Sequence, residues 1–312
     1  MIFKIDKTYA KAIKGATLSD LCCKMIEKGH YIDCEGETRS LIEKSIQANA
    51  SNTQTEWFKS YKGFSITTEL RKYLTTISVD GNTYSLADLD RMISKESRVL
   101  LENGPYEWDV YKTMIGTFER DRKYGNLFKL LVKARNNKYL SDLHCGGFST
   151  MVAMFDQQNE GDYRNVFAEK SCFVFDRDTN SDISFDCNKN ALFRMFCNKD
   201  SETVTDRDIY TLNQSHFHWH MWYKREIENY FTDDCFTRQG VNVDAFPSEL
   251  NRRDYFLIDQ SSAHGYQKSK LASIAKAMSR SDYDQMTPKV FVVDGDQLSE
   301  IQLFLLKLVK IV

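Results

Sequence analysis

Five acidic residues stand at or just beyond the ends of three apolar runs. Glu102 closes "RVLLE", Asp176 and Asp178 follow "SCFVF" with Asp182 nearby, and Glu226 and Glu228 follow "HMWYKR". Alternate residues on an extended chain point to one side, so Asp176 and Asp178 would face a single site if their strand persists that far. Carboxylates gathered in this way are the ligand set of hard divalent cations, which take oxygen donors and keep several waters. Two such ions about 4 Å apart stabilise the attacking and leaving oxygens of a phosphodiester. A competing feature lies just upstream: His216, His218 and His220 alternate with Phe217, Trp219 and Met221. Zinc sites use such ladders. On a strand, however, the apolar set would face the core and the histidines would form a polar face under a helix or against substrate.

The elements that must carry these residues are read from residue 97 onward. "RVLLE" is a short strand, followed by helix-like "EWDVYKTMIGTFERD". "LFKLLVKAR" is a helix or strand, and "DLHCGGFSTMVAMF" passes through a glycine turn into a helix. "SCFVFDRD" is a second buried strand, "FHWHMWYKREIENYF" a strand running into a helix, and "KSKLASIAKAMS" a later helix. Strands alternating with helices predict an α/β fold with a mostly parallel central sheet flanked by helices. In such sheets the working residues collect at the carboxyl ends of the strands. Residues 1–95 form a mixed N-terminal region, with a role in structure, substrate positioning or partner binding; residues 96–312 form the candidate catalytic domain with a C-terminal extension. Within the first region, "TLSDLCCKMIEKG" predicts a helix capped by Thr17 or Ser19 and stopped at Gly29. Asp80-Gly81-Asn82 predicts a turn.

The chain has 312 residues, 42% hydrophobic and 28% charged, an ordinary globular balance long enough to bury a core. A net charge of −2 does not mark a nucleic-acid binder in bulk, although a basic groove beside an acidic site would cancel in that sum. The 8 cysteines are scattered without a CxxC pair, which argues against zinc or redox chemistry and for reduced, buried thiols. No run approaches ~18 uncharged apolar residues, and the N-terminus lacks a signal-peptide pattern, so a cytoplasmic protein without a membrane partner is expected. The C-terminal "IQLFLLKLVKIV" reads as a docking helix or strand.

The order "VLLENGP … HCGGFSTMV … CFVFDRD … WYKREIENYF … GYQKSKL" resembles the Toprim catalytic domain. The likeness is to the form found in OLD (overcoming lysogenisation defect) nucleases and in Toprim effector subunits of phage-defence systems such as PARIS. It covers about residues 97 to 280, and its most specific piece is "REIENY", residues 225–230. The resemblance implies a nuclease that uses Mg²⁺ or Mn²⁺, one or two ions, to hydrolyse phosphodiester bonds in DNA or RNA such as tRNA. It makes Glu102 a metal ligand or general base, Asp176 and Asp178 a metal-binding pair, and Glu226 and Glu228 further metal contacts. Lys268 or Lys270 would match the late lysine that offsets phosphate charge, and Gly146 and Gly147 the glycine turn. This chain departs from the pattern after Glu102, where Asn103 precedes Gly104-Pro105 and Tyr106 stands where a second acid is expected; Glu107 or Asp109 could take that place.

OLD proteins carry an ATPase domain, yet no G-x-x-x-x-G-K-[ST] occurs in this chain. The resemblance therefore implies a separate ABC-type ATPase partner in an anti-phage system, with nucleic acid as substrate and a homodimer left open. The altered first motif leaves a second reading, a catalytically degenerate Toprim scaffold or regulatory subunit that binds the ATPase or nucleic acid. Arg225 beside the acids, and Arg252 and Arg253 in "NRRDY", are candidates to grip a phosphate backbone. His144 and His264 are candidate ligands or phosphate contacts. Trp57, Phe58 and Tyr61 with Lys59 and Lys62 form either an aromatic-basic patch or core with a solvated face.

Overall fold

The computed structural model describes residues 1–159, 164–181, 184–214, 217–258, 265–287 and 289–312. His216, His264 and Asp182 lie outside the described residues. Two parallel sheets and one hairpin organise the described residues. The N-terminal sheet has the order β2-β1-β3, from Ile2–Ile5 (β1), Tyr31–Asp33 (β2) and Thr76–Val79 (β3). The second sheet is built from Ser97–Leu101 (β4), Leu140–His144 (β5), Ser171–Phe175 (β6) and His218–Met221 (β7), all parallel, in the order β5-β4-β6-β7. Val290–Val293 (β8) and Asp296–Ser299 (β9) form an antiparallel hairpin.

Each sheet anchors its own core. One apolar cluster is centred on Phe3, Ile32, Ile77 and the helix Ala16–Lys28, and takes only Val166 from beyond residue 93. A larger cluster surrounds the second sheet. All five residues of β6, and all four of β7, are buried. Both faces of this sheet are covered, which is why β6 reads as an unbroken apolar run and not as an alternation.

The histidines of β7 fit the same rule. His218 and His220 are buried, and His220 lies against Phe304 and Trp222, with ring centroids 5.3 and 4.8 Å away. Phe304 belongs to the C-terminal helix Glu300–Ile311, which lies against β7 and is itself buried along most of its length. Burial keeps both imidazoles neutral, His218 down to about 3. The C-terminal stretch is thus a core helix of this chain. Among the described residues no helix is long and apolar enough to cross a membrane.

Side chains occupy the free edge of β7 at Trp219. The Gln214 amide accepts from Trp219 N at 2.9 Å and donates to Trp219 O at 2.9 Å, and Lys307 Nζ donates to the same carbonyl at 2.7 Å. An edge satisfied in this way does not template another strand. On the neighbouring face, Trp219 stacks on Phe196 and Phe175 with centroids 5.3 and 5.9 Å away.

Two expectations are corrected. The helix Ala16–Lys28 is capped by Gly15, whose φ of 86° needs glycine; Thr17 and Ser19 lie inside it. The strand before Asp176 does not persist, since β6 ends at Phe175, and Asp178 is a left-handed residue with φ 59°. Asp tolerates that conformation better than most residues, and the bend carries its carboxylate back toward the sheet.

Candidate functional site: an acidic cluster at the sheet's switch point

The chain leaves β4 to one side, to β5, and returns on the other, to β6. The order therefore reverses between β4 and β6, and in open α/β sheets ligands bind in the crevice outside the carboxyl ends at such a point. Glu102 and Asp176 are the first residues after these two strands. Backbone bonds fix both positions: Glu102 N donates to Val174 O at 3.2 Å, Gly147 N to Glu102 O at 2.7 Å, and Asp176 N to Glu102 Oε2 at 3.2 Å. Gly147 stands at φ 120°, so the glycine turn after β5 is needed for that contact.

The next loop is anchored by a residue with no motif signal. Arg177 is fully buried; Nη1 donates to Tyr223 O at 3.3 Å, Nη2 to Ser184 O at 3.2 Å, and its guanidinium lies 4.5 Å from the Phe185 ring centre. Arg177 N and Asp178 N both donate to Arg225 O, at 3.0 and 3.1 Å, tying the loop after β6 to "REIENY".

β7 ends at Met221, so Glu226 and Glu228 arrive by a loop and the short 3₁₀ turn Ile227–Tyr230. Asn229 holds this turn. Its Oδ1 accepts from Glu226 N at 3.0 Å, and its Nδ2 donates to Arg253 O at 2.7 Å and Phe256 O at 2.9 Å. Buried Glu300 secures the other side, accepting from Tyr223 N at 2.6 Å and from the Tyr230 hydroxyl. Lys224 Nζ pairs with Asp254 at 2.6 Å.

Glu102, Glu107, Asp176, Glu226 and Glu228 are all buried, and Asp178 is partly open. Burial, reinforced by the neighbouring acids, raises Glu102, Asp176 and Glu228 above the ordinary carboxylate range. Burial and the adjacent Glu228 charge push Glu107 up to about 8, and the same two causes push Glu226 up to about 8. Glu107 sits in the first turn of the helix Pro105–Phe118, whereas Asp109 is a half-buried residue paired with Lys112. Asn103, the residue that interrupts the sequence pattern, donates to Asp176 Oδ2 at 2.9 Å and also bonds Glu107.

Two lysines face the acids. Lys189, 1% exposed, places Nζ 2.6 Å from Glu102 Oε2 and 2.6 Å from Asp178 Oδ2. Burial works to lower Lys189, but the charges of Glu102, Asp178 and Asp176 outweigh it and hold the ammonium above its usual value. Lys268 is likewise raised against burial, by Glu228, Asp176, Glu107 and Glu226. Lys270 points elsewhere, donating to the carbonyls of Gln239 at 3.0 Å and Gly265 at 2.9 Å. Tyr266 donates its hydroxyl to Glu228 Oε1 at 2.8 Å.

The arginines separate. Arg225 bonds Asn180 and lies 3.5 Å from Glu226 Oε1, at the rim of the cluster. Arg252 is exposed. Arg253 is buried, paired with Asp233 and 4.9 Å from the Phe246 ring centre, so its guanidinium does not face outward. His144 pairs with Asp142 at 2.7 Å on β5. In the N-terminal region Trp57 is exposed, Phe58 and Tyr61 pack edge-on against Phe64, and Lys59 pairs with Glu56.

The donor set suits a hard cation. It is all oxygen, it is largely desolvated, and the buried Glu226 Oε1 has no hydrogen-bond partner among the described residues, only the Arg225 charge 3.5 Å away. Among the described residues no three His, Cys, Asp or Glu side chains close around one point as they stand; Lys189 and Asn103 are inserted between them. Sequence reasoning missed Lys189, Asn103, Arg177 and Tyr266. Comparison of the chain with protein-family models, curated proteins and solved structures returned no match.

Proposed function

We propose that this chain is a metal-dependent nuclease of the Toprim kind that hydrolyses phosphodiester bonds in DNA or RNA. The observation that carries the reading is the meeting of Glu102 and Asp176 at the switch point of a four-stranded parallel sheet, with Asp178, Glu107, Glu226 and Glu228 around them. Ionising all six carboxylates against Lys189, Lys268 and Arg225 would leave a surplus of negative charge that burial makes costly without added cations.

Glu102, Asp176 and Asp178 would hold Mg²⁺ or Mn²⁺ on one side of the cluster, and Glu107, Glu226 and Glu228 on the other. A bound divalent ion supplies a more acidic water and a polarised phosphoryl oxygen. The chain's own residues do the rest. Asn229 and Glu300 fix the loop that presents Glu226 and Glu228. Lys268, raised by four facing acids, directs positive charge at the position where a transferring phosphate gains negative charge. Glu107 keeps a proton near neutral pH and can release it as the local charge changes.

The same reading makes the chain the cytoplasmic effector of an anti-phage system released by a separate ABC-type ATPase; support for that part is the resemblance in "REIENY" and the strand-end acids. A second reading, a degenerate Toprim scaffold, is favoured by one observation, the Lys189 ammonium seated between Glu102 and Asp178. Incubation of the purified chain with plasmid DNA and tRNA, with Mg²⁺, Mn²⁺ or chelator, separates the two. Cleavage that chelator stops supports the nuclease. No cleavage, even with the ATPase partner and its trigger, supports the scaffold.

A further inference from the structure

Lys189 is unusual for a lysine because it is almost wholly buried and has two carboxylate partners. Its backbone is set by the 3₁₀ turn Cys187–Lys189, capped by Asp186 accepting from Asn188 N at 2.9 Å, and its ammonium lies 5.5 Å from the Phe175 ring centre. From there Nζ reaches both Glu102 Oε2 and Asp178 Oδ2 at 2.6 Å, which brings those oxygens within twice that distance of each other. These two acids come from different sides of the switch point, one after β4 and one after β6. A single positive charge on both is the electrostatic equivalent of a bridging cation.

We propose that Lys189 is a built-in counter-cation that holds Glu102 and Asp178 together in the metal-free protein and competes with a divalent ion for that pair. Resting on the nuclease reading, this makes Lys189 a positioning residue that sets how much free metal the site requires. Loading the Glu102–Asp178 side displaces the ammonium from between the two oxygens. No bond is made or broken; one charge replaces another.

The test is Mn²⁺ binding by calorimetry on the full chain without nucleic acid, comparing wild type with Lys189→Met and Lys189→Arg. Removing the competing charge-assisted contacts should tighten Mn²⁺ binding roughly tenfold to hundredfold in Lys189→Met, while Lys189→Arg stays near wild type. Unchanged or weaker binding by a folded Lys189→Met protein overturns the proposal. Should that variant not fold, amine labelling of wild type read by mass spectrometry decides: Lys189 should be protected in chelator and react once Mn²⁺ is added. Equal protection in both overturns it. The two readings fail separately. Mn²⁺ binding by Lys189→Met but not by wild type sustains the lysine's role while removing the nuclease reading of the native chain. Metal-dependent cleavage by wild type with unchanged Mn²⁺ affinity in Lys189→Met does the reverse.

Discussion

Replacing Glu107 by glutamine should make the metal-free protein more stable while removing an acid from the candidate site. Glu107 is buried beside Glu228, and its carboxyl is raised from 4.5 to about 8. As pH rises through 4.5 the unfolded chain loses this proton and the folded protein keeps it, so the unfolded state binds fewer protons and stability falls with pH. The loss grows up to about pH 8 and is complete above it. At pH 7 the interval from 4.5 corresponds to about 3 kcal/mol at about 1.36 kcal/mol per pH unit. Part of this figure goes when glutamine replaces the charge-assisted bond from Asn103 by a weaker neutral one and leaves a polar amide buried, so a net gain of about 2 kcal/mol remains. For a chain of this size that is about 3–6 °C in melting temperature. Thermal unfolding in chelator between pH 5 and 8 is the assay. The wild-type melting temperature should drop across this range and the Glu107→Gln profile should be flatter, with the two meeting toward pH 5. Added Mn²⁺ should raise the wild-type value more than that of the variant. A Glu107→Gln protein that melts lower than wild type at pH 7, or parallel to it at every pH, would refute the account of a strained like-charge cluster.

Other outcomes follow from the same contacts. Lys268→Ala should lower cleavage about a hundredfold, while Lys270→Ala, whose ammonium sits on backbone carbonyls, should keep the rate within a few-fold; turnover on plasmid or tRNA distinguishes them. Asn229→Ala loses three hydrogen bonds, one within the "REIENY" turn from Glu226 N and two that tie it to Arg253 and Phe256, and should cost about 2–3 kcal/mol by urea unfolding. His218→Leu should leave Mn²⁺ affinity unchanged in calorimetry, because the imidazole is buried under the C-terminal helix beside Lys307 and Lys310.

The strand-end acids were legible because a parallel sheet covered on both faces writes each strand as an apolar run, and the first polar residue then marks its carboxyl end. Glu102 after "VLL" and Asp176 after "CFVF" follow that rule directly. For His218 and His220 the alternation with Phe217, Trp219 and Met221 pointed to a strand face under a helix or against substrate, and packing beneath the C-terminal helix selects the first. Lys189 was not legible. Nothing in "CNKN" marks it, and only the 3₁₀ turn Cys187–Lys189 swings its side chain under the β4 and β6 ends. The route of Asp178 was also hidden, since strand alternation predicted its side and a left-handed residue delivers it instead. Arg253 reads like a surface cation, and only tertiary packing shows it against Phe246 and Asp233. Asn103 departs from the pattern that the resemblance implies, and only in three dimensions is it seen to bond both Asp176 and Glu107.

The most direct test of the nuclease proposal is cleavage by Glu102→Gln beside wild type, in Mg²⁺ or Mn²⁺, with chelator controls and with and without the proposed ATPase partner. Glutamine keeps the shape and the bond from Asp176 N but removes the charge at the switch point. The account predicts chelator-sensitive cleavage by wild type and a fall of about a hundredfold or more in the variant, with its fold intact by circular dichroism. Equal cleavage by the two proteins would contradict it.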